Sequence, residues 1–287
     1  MSPDGVGAAV CEDARVTVRP AHFADSPDGF LPSPYARSRW GEDQLNGPAV
    51  VGLAAHCLER DYGSADFQPA RLTVDLFKAA RGVPTTVRAR LIRDGRRIRN
   101  AECDVLQGDV VVARAGLVFY RRSSAPEGEQ WSPPVEFTFP DSLPTGDEHT
   151  LPYTGSDAVG WTQKIGDHQN TSRTRFVDRG IDVVAGQPNT PFVRASVVGE
   201  ATSLVTHLGT RGVGYINGDL TVGLTRLPVG EWIGVQAESH WAADGVTVGT
   251  ATLFDGTGPF GSGMVTALAN PSAALDFSTH SQPNPPA

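Results

Sequence analysis

The feature that most constrains this chain is that it repeats itself. Residues 72–82 read LTVDLFKAARG and residues 220–230 read LTVGLTRLPVG, an offset of 148. Residues 72–91 and 220–239 align at that offset without a gap. Identities fall at Leu72/Leu220, Thr73/Thr221, Val74/Val222, Leu76/Leu224, Gly82/Gly230, Val87/Val235 and Ala89/Ala237. Upstream, AVVGLA (49–54) meets SVVGEA (196–201) at an offset of 147, so the connecting segment gained one residue. A period of this size is too long for a solenoid and describes a duplicated domain.

Both copies carry the same order of signals. Small and apolar residues at helical spacing come first, in GPAVVGLAAHCLERD and in PFVRASVVGEATSLVTHLG. A Pro just inside the first suits a helix start, and a Gly after the second suits a stop. Alternating strands follow, with turns expected at Asp94-Gly95 and Gly108-Asp109. One central helix followed by a long antiparallel meander predicts an α+β fold. The expected boundaries are a disordered start over 1–14, a first domain over 15–122 and a second over 153–270. The Pro-, Ser- and acid-rich stretch between them, 123–152, reads as a linker, and 271–287 as a loose tail.

Composition excludes several classes of function. A net charge of −8 opposes general nucleic-acid affinity, which calls for a cationic surface. No apolar run approaches the roughly 18–20 residues of a membrane helix, and the opening residues lack the pattern of a secretory signal. Three widely spaced cysteines form neither a disulfide framework nor a metal pair, so a cytoplasmic setting is expected, with no cofactor or metal. GTGPFG (256–261) lies in a hairpin and does not open a helix, so it is not read as a dinucleotide site. His56 and His207 fall on the helical segments and read as packing residues.

The small-residue helix start, the VVG pair and above all YINGDLTVGLTRLPVGEWIG resemble the double hot-dog acyl-CoA thioesterases, the type II bacterial group and its actinobacterial relatives. The resemblance spans roughly residues 15–120 and 155–270. It implies a tandem hot-dog fold, each sheet wrapped around a central helix and the two packed as a pseudo-dimer. It also implies hydrolysis of acyl-CoA thioesters without a covalent enzyme intermediate, and further pairing into a homodimer would be in keeping with such folds.

Thioester hydrolysis needs an activated water and donors aimed at the developing oxyanion. A helix N-terminus supplies such donors, which points to Asn46, Gly47 and Ala49 at the start of the first helix; Pro48 removes one N–H. Glu200 stands where the first copy has Leu53, and the family places its catalytic Asp at this spot. If Leu53 marks a buried position, burial would lift the Glu200 pKa toward the range of a general base. Asn217 occupies the place of a polar Thr that helps hold the water in the type II enzymes. A family Gln late in the second meander is replaced by Val265 or Thr266, according to how the hairpin aligns. Thr266 can donate one hydrogen bond but cannot imitate a primary amide.

Coenzyme A is anionic, and a local cationic patch is expected to meet it. RARLIRDGRRIR (88–99) holds six arginines, with Arg93, Arg96 and Arg97 as the candidates at its hairpin and a solvated strand face as the alternative; Arg173 and Arg175 come second. Two readings therefore stand. One is an acyl-CoA thioesterase using Glu200, Asn217 and Thr266; the other, favoured by the missing Gln, is a catalytically weak or inactive acyl-CoA- or lipid-binding hot dog.

Overall fold

The computed structural model describes residues 19–134, 136–146 and 150–278. In chain order the elements are β1 (Ala21–Ser26), β2 (Gly29–Pro32), α1 (Gly47–Tyr62), β3 (Phe67–Leu76), β4 (Thr86–Asp94), β5 (Ile98–Gln107) and β6 (Val110–Arg121) in the first copy. The second has β7 (Tyr153–Ser156), β8 (Thr174–Asp178), β9 (Asp182–Val184), α2 (Pro191–Gly199), α3 (Thr202–His207), β10 (Leu208–Gly209), β11 (Gly212–Val213) and β12 (Tyr215–Asn217). It ends with β13 (Asp219–Leu224), β14 (Ile233–Ala243), β15 (Val246–Asp255) and β16 (Gly258–Ala269). No described helix is long and apolar enough to cross a membrane.

The strands make one 11-stranded sheet in the order β4-β5-β6-β3-β13-β16-β15-β14-β8-β7, with β12 on β16. The two copies meet at β3 and β13, which pair antiparallel, and Thr73 lies directly opposite Thr221. These two residues are equivalents in the repeat, so a pseudo-twofold axis passes between them. The LTV repeat is therefore the seam along which the duplicated halves join, as in the self-complementary interface of a twofold dimer. A smaller sheet, β2-β1-β9, ties the N-terminal segment to the second copy through parallel pairing of β1 with β9.

Helix α1 is buried nearly all round over residues 49–55, 57 and 58, because a sheet covers one side and the second-copy helix the other. Gly52 makes that helix contact possible, since a Cβ there would lie 2.8 Å from Val183 and Val197 methyls. Its equivalent Gly199 sits under Val222, which explains why VVG occurs in both copies. Leu53, Leu58, Leu72 and Leu117 of the first copy and Phe192, Ile233, Leu253 and Phe260 of the second belong to one continuous core, each burial worth roughly 1.5–3 kcal/mol. The expected hairpins form at Asp94-Gly95, where the Gly95 N–H donates to Ile98 O, and at Gly108, with φ +58° in the left-handed region; a further hairpin turns at Asp244-Gly245.

Two segments depart from their compositional reading. In the Pro-rich connection, Phe137 stacks on Phe254 at 4.6 Å and the Trp232 indole N–H donates to Pro144 O, so it lies along the second half of the sheet. Residues 271–278 are not a loose tail: Leu275 exchanges two backbone hydrogen bonds with Val213, and Gln169 holds Asp276 and Phe277. Composition signals low intrinsic order; these partners supply order from outside. The expected disorder of 1–14 and the last residues, 279–287, lie outside the described residues.

Candidate active site

The α1 start is built by Asn46. Its Oδ1 accepts from the Ala49 N–H at 2.8 Å and its Nδ2 donates to Tyr35 O at 2.9 Å, fixing both the cap and the approaching loop. Pro48 has no N–H and the Ala49 N–H is taken by the cap, while the Val50 N–H reaches Asn46 O at 3.4 Å. Of the first-turn donors, the Gly47 N–H is left without a hydrogen-bond partner among the described residues. The Ala49 N–H, expected beside Gly47 as an oxyanion donor, is consumed by the cap.

Glu200 comes from the middle of the second-copy helix, which is broken there. The break has a local cause: Thr202 Oγ1 donates to Gly199 O and Ser203 Oγ to Glu200 O, and the Ala201 N–H reaches back only three residues to Val198 O. Hydroxyls competing for helix carbonyls divide α2 from α3. At the break the Glu200 side chain turns to the start of α1. It is 9% exposed, and a Cβ on Gly47 would lie 2.5 Å from its carboxyl carbon. Asn217 Nδ2 and Ser203 Oγ each donate to Glu200 Oε1 at 3.3 Å. Burial pushes the Glu200 pKa up to about 7 from 4.5, against the pull of these two hydrogen bonds toward the charged form. Leu53, its equivalent, is fully buried in the other copy.

A cavity of about 530 Å³ opens over this group, lined by Asn46, Gly47, Glu200, Ser203, Leu204, His207 and Asn217. Ser203, Leu204 and His207 share one face of α3, and Glu200 stands at the break just before it. Leu275 and Phe277 of the C-terminal segment also line the cavity, and Arg39 lies over the Phe277 ring at 5.4 Å. Arg39 and Lys78 are its cationic lining residues. Among the described residues, no group of three or more His, Cys, Asp or Glu side chains could hold a metal ion.

The structure thus brings Asn46, Gly47, Glu200 and Asn217 together and leaves other candidates elsewhere. Thr266 donates from its backbone N–H and its Oγ1 to Asp219, and neither it nor the fully buried Val265 lines the cavity. The hairpin of Arg93, Arg96 and Arg97 lies by the far end of α1, where Arg99 Nη1 donates to Tyr62 O. Along a 16-residue helix that is on the order of 20 Å from Gly47. The arginine-rich edge strand pairs across to β5, Arg88 with Asp104 and Arg90 with Glu102, and Arg173 and Arg175 both meet Asp157. Ser203 and His207 were missed as lining residues. Their spacing from Glu200 on a helix was the available signal.

Comparison with known proteins agrees with this architecture. Residues 36–120 match the acyl-CoA thioesterase N-terminal domain and residues 120–268 the acyl-CoA thioesterase C-terminal domain. No curated protein matches the sequence. Among solved structures, the tesB protein of Mycobacterium avium subspecies paratuberculosis is 15% identical with a TM-score of 0.58, covering 84% of this chain and 91% of its own. The acyl-CoA thioesterase II TesB2 of Mycobacterium marinum is 17% identical with a TM-score of 0.58, over 78% and 88%. A hot-dog protein of unknown function from Alicyclobacillus acidocaldarius is 14% identical with a TM-score of 0.57, over 80% and 89%. These likenesses show the fold, α+β with two hot dogs in one chain. Two matched domains that together run from residue 36 to residue 268 place the chain in the acyl-CoA thioesterase family.

Proposed function

We propose that this protein hydrolyses acyl-CoA thioesters to the free acid and coenzyme A, with Glu200 as general base. The observation that carries the reading is the contact of the Glu200 carboxyl with Gly47 at the start of α1. It sets a base of raised pKa beside an unpartnered N–H at the positive end of a helix. Water held between Glu200 and Asn217 gives a proton to Glu200 as its oxygen attacks the thioester carbon. The Gly47 N–H, with the α1 dipole, stabilises the oxyanion. The tetrahedral intermediate then collapses, the C–S bond breaks, and the thiolate leaves with the proton from Glu200.

Arg39 and Lys78, which line the same cavity, are better placed than Arg93, Arg96 and Arg97 to meet the phosphates of coenzyme A. Thr266 has no part in this scheme, since its hydroxyl is committed to Asp219. Release of free thiol from acyl-CoAs of graded length tests the proposal. Turnover is expected in the wild type and its loss in Glu200→Ala. Tight binding without thiol release would instead favour an acyl-CoA-binding protein, the reading suggested by the absent Gln.

A further inference from the structure

Among the residues lining the cavity is a histidine that packing does not explain. His207 is 5% exposed, and neither ring nitrogen makes a hydrogen bond of ordinary geometry; the Ser203 carbonyl one turn back gives the ring only minor support. A buried polar group without a partner carries a cost, and each such group calls for a reason. Its ring packs against Tyr215 and His240, with centroids 5.4 and 5.5 Å away, and these contacts satisfy neither nitrogen. It is the last residue of α3, while Glu200 stands at the break before that helix begins.

His207 and Tyr215 also line a second cavity, of about 630 Å³, and so stand where the two spaces meet. This second space is of mixed character, with Val205, Leu208 and Ala237 in its wall beside polar groups. Asn170, Ser172, Arg211 and Ser239 are among its lining residues. A saturated chain running from Glu200 past His207 would leave the imidazole unpaired.

We infer that the acyl group accepted here carries a hydrogen-bonding oxygen, a hydroxyl or oxo group, positioned to meet His207. The inference rests on Glu200 marking the thioester end. Burial lowers the His207 pKa to about 4, with His240 adding to the effect, so the ring is neutral at pH 7. A neutral imidazole has one donor and one acceptor nitrogen, and it can serve either group. A site built to hydrogen-bond such an oxygen disfavours the analogue lacking it, whereas an apolar pocket discriminates weakly.

The test uses the full chain and acyl-CoAs of equal length, unsubstituted or with a hydroxyl or oxo group stepped along the chain. Thiol release is measured for wild type and His207→Phe, and binding is measured by calorimetry on Glu200→Gln. At one position the substituted substrate is expected to exceed the unsubstituted one by roughly tenfold to a hundredfold in kcat/KM, and in affinity for Glu200→Gln. In His207→Phe the ratio should fall to about one. Equal or better use of the unsubstituted chain by wild type, or an unchanged ratio in His207→Phe, overturns the inference. The wild-type ratio decides even if that variant fails to fold. Binding preference without any thiol release would sink the hydrolytic reading and leave this one standing; thiol release without preference would do the reverse.

Discussion

The Glu200 carboxyl group fills the space that a side chain at position 47 would need. Two residues 153 apart in sequence are thus each other's immediate surroundings. The pseudo-dimer creates this contact once, because the equivalent of Glu200 is Leu53.

Gly47→Ala is the sharpest probe of that contact. Its Cβ would push the carboxylate, and with it the proposed nucleophilic water, away from the Gly47 N–H, without demanding an unusual backbone. Misplacement by about an ångström at a reacting centre can cost about 10²-fold. A fall in kcat of that order is expected in steady-state thiol release, with the circular dichroism spectrum unchanged. Full activity in this variant would separate Gly47 from the chemistry.

The pH dependence of kcat/KM should carry the signature of Glu200. The base works when ionised, so activity should rise with pH and reach half its plateau near pH 7, not in the usual carboxylate range. Asn217 donates to the carboxylate and favours its charged form. Asn217→Leu should therefore move this limb to higher pH. A limb that stays put in the variant would show that Asn217 does not tune the base.

Glu200 should also cost stability, in a window its pKa sets. The native state keeps the proton up to about pH 7, while the unfolded chain releases it near 4.5. Between those values the native state binds more protons, so stability falls as pH rises, by about 3 kcal/mol once pH passes 7. Glu200→Gln should thus unfold at higher temperature than wild type at pH 8 and at a similar temperature at pH 4. Equal melting temperatures at pH 8 would mean the buried charge is better solvated than its surroundings indicate.

The family-like stretch around LTRLPVGEW has a structural role that can be tested separately. Arg226 clamps the fully buried Asp255 carboxylate with two hydrogen bonds, 2.5 and 2.9 Å, and the Val229 and Thr257 N–H groups and the Thr257 hydroxyl complete its shell. Burial opposes the charge on Asp255, but these partners hold its pKa well below the usual range. Arg226→Met leaves that charge unpaired, and a loss of about 3–5 kcal/mol is expected in denaturant unfolding. Arg226→Met with Asp255→Asn should recover part of it.

The duplication, the helices and hairpins, and the exchange of Leu53 for Glu200 could all be read from the chain. Each is a matter of local pattern or of comparison along a line: a period, a turn residue, an apolar position turned acidic. The break in the second helix was less legible, since helical periodicity runs through it and only the hydroxyls of Thr202 and Ser203 betray it. Partners distant in sequence were not legible at all. Nothing local indicates that Thr266 would spend its hydroxyl on Asp219 or that Arg93, Arg96 and Arg97 would sit at the far end of α1. Nor does it indicate that residues 271–278 would cover the cavity, or that His207 would stand between two of them.

The sequence alone determined that two equivalent halves exist and that one of them placed an acid where the other kept a leucine. Tertiary structure decided what the acid faces. Pairing of Thr73 with Thr221 sets the two helices against each other, and only that long-range register aims Glu200 at Gly47 and withdraws its carboxylate from water.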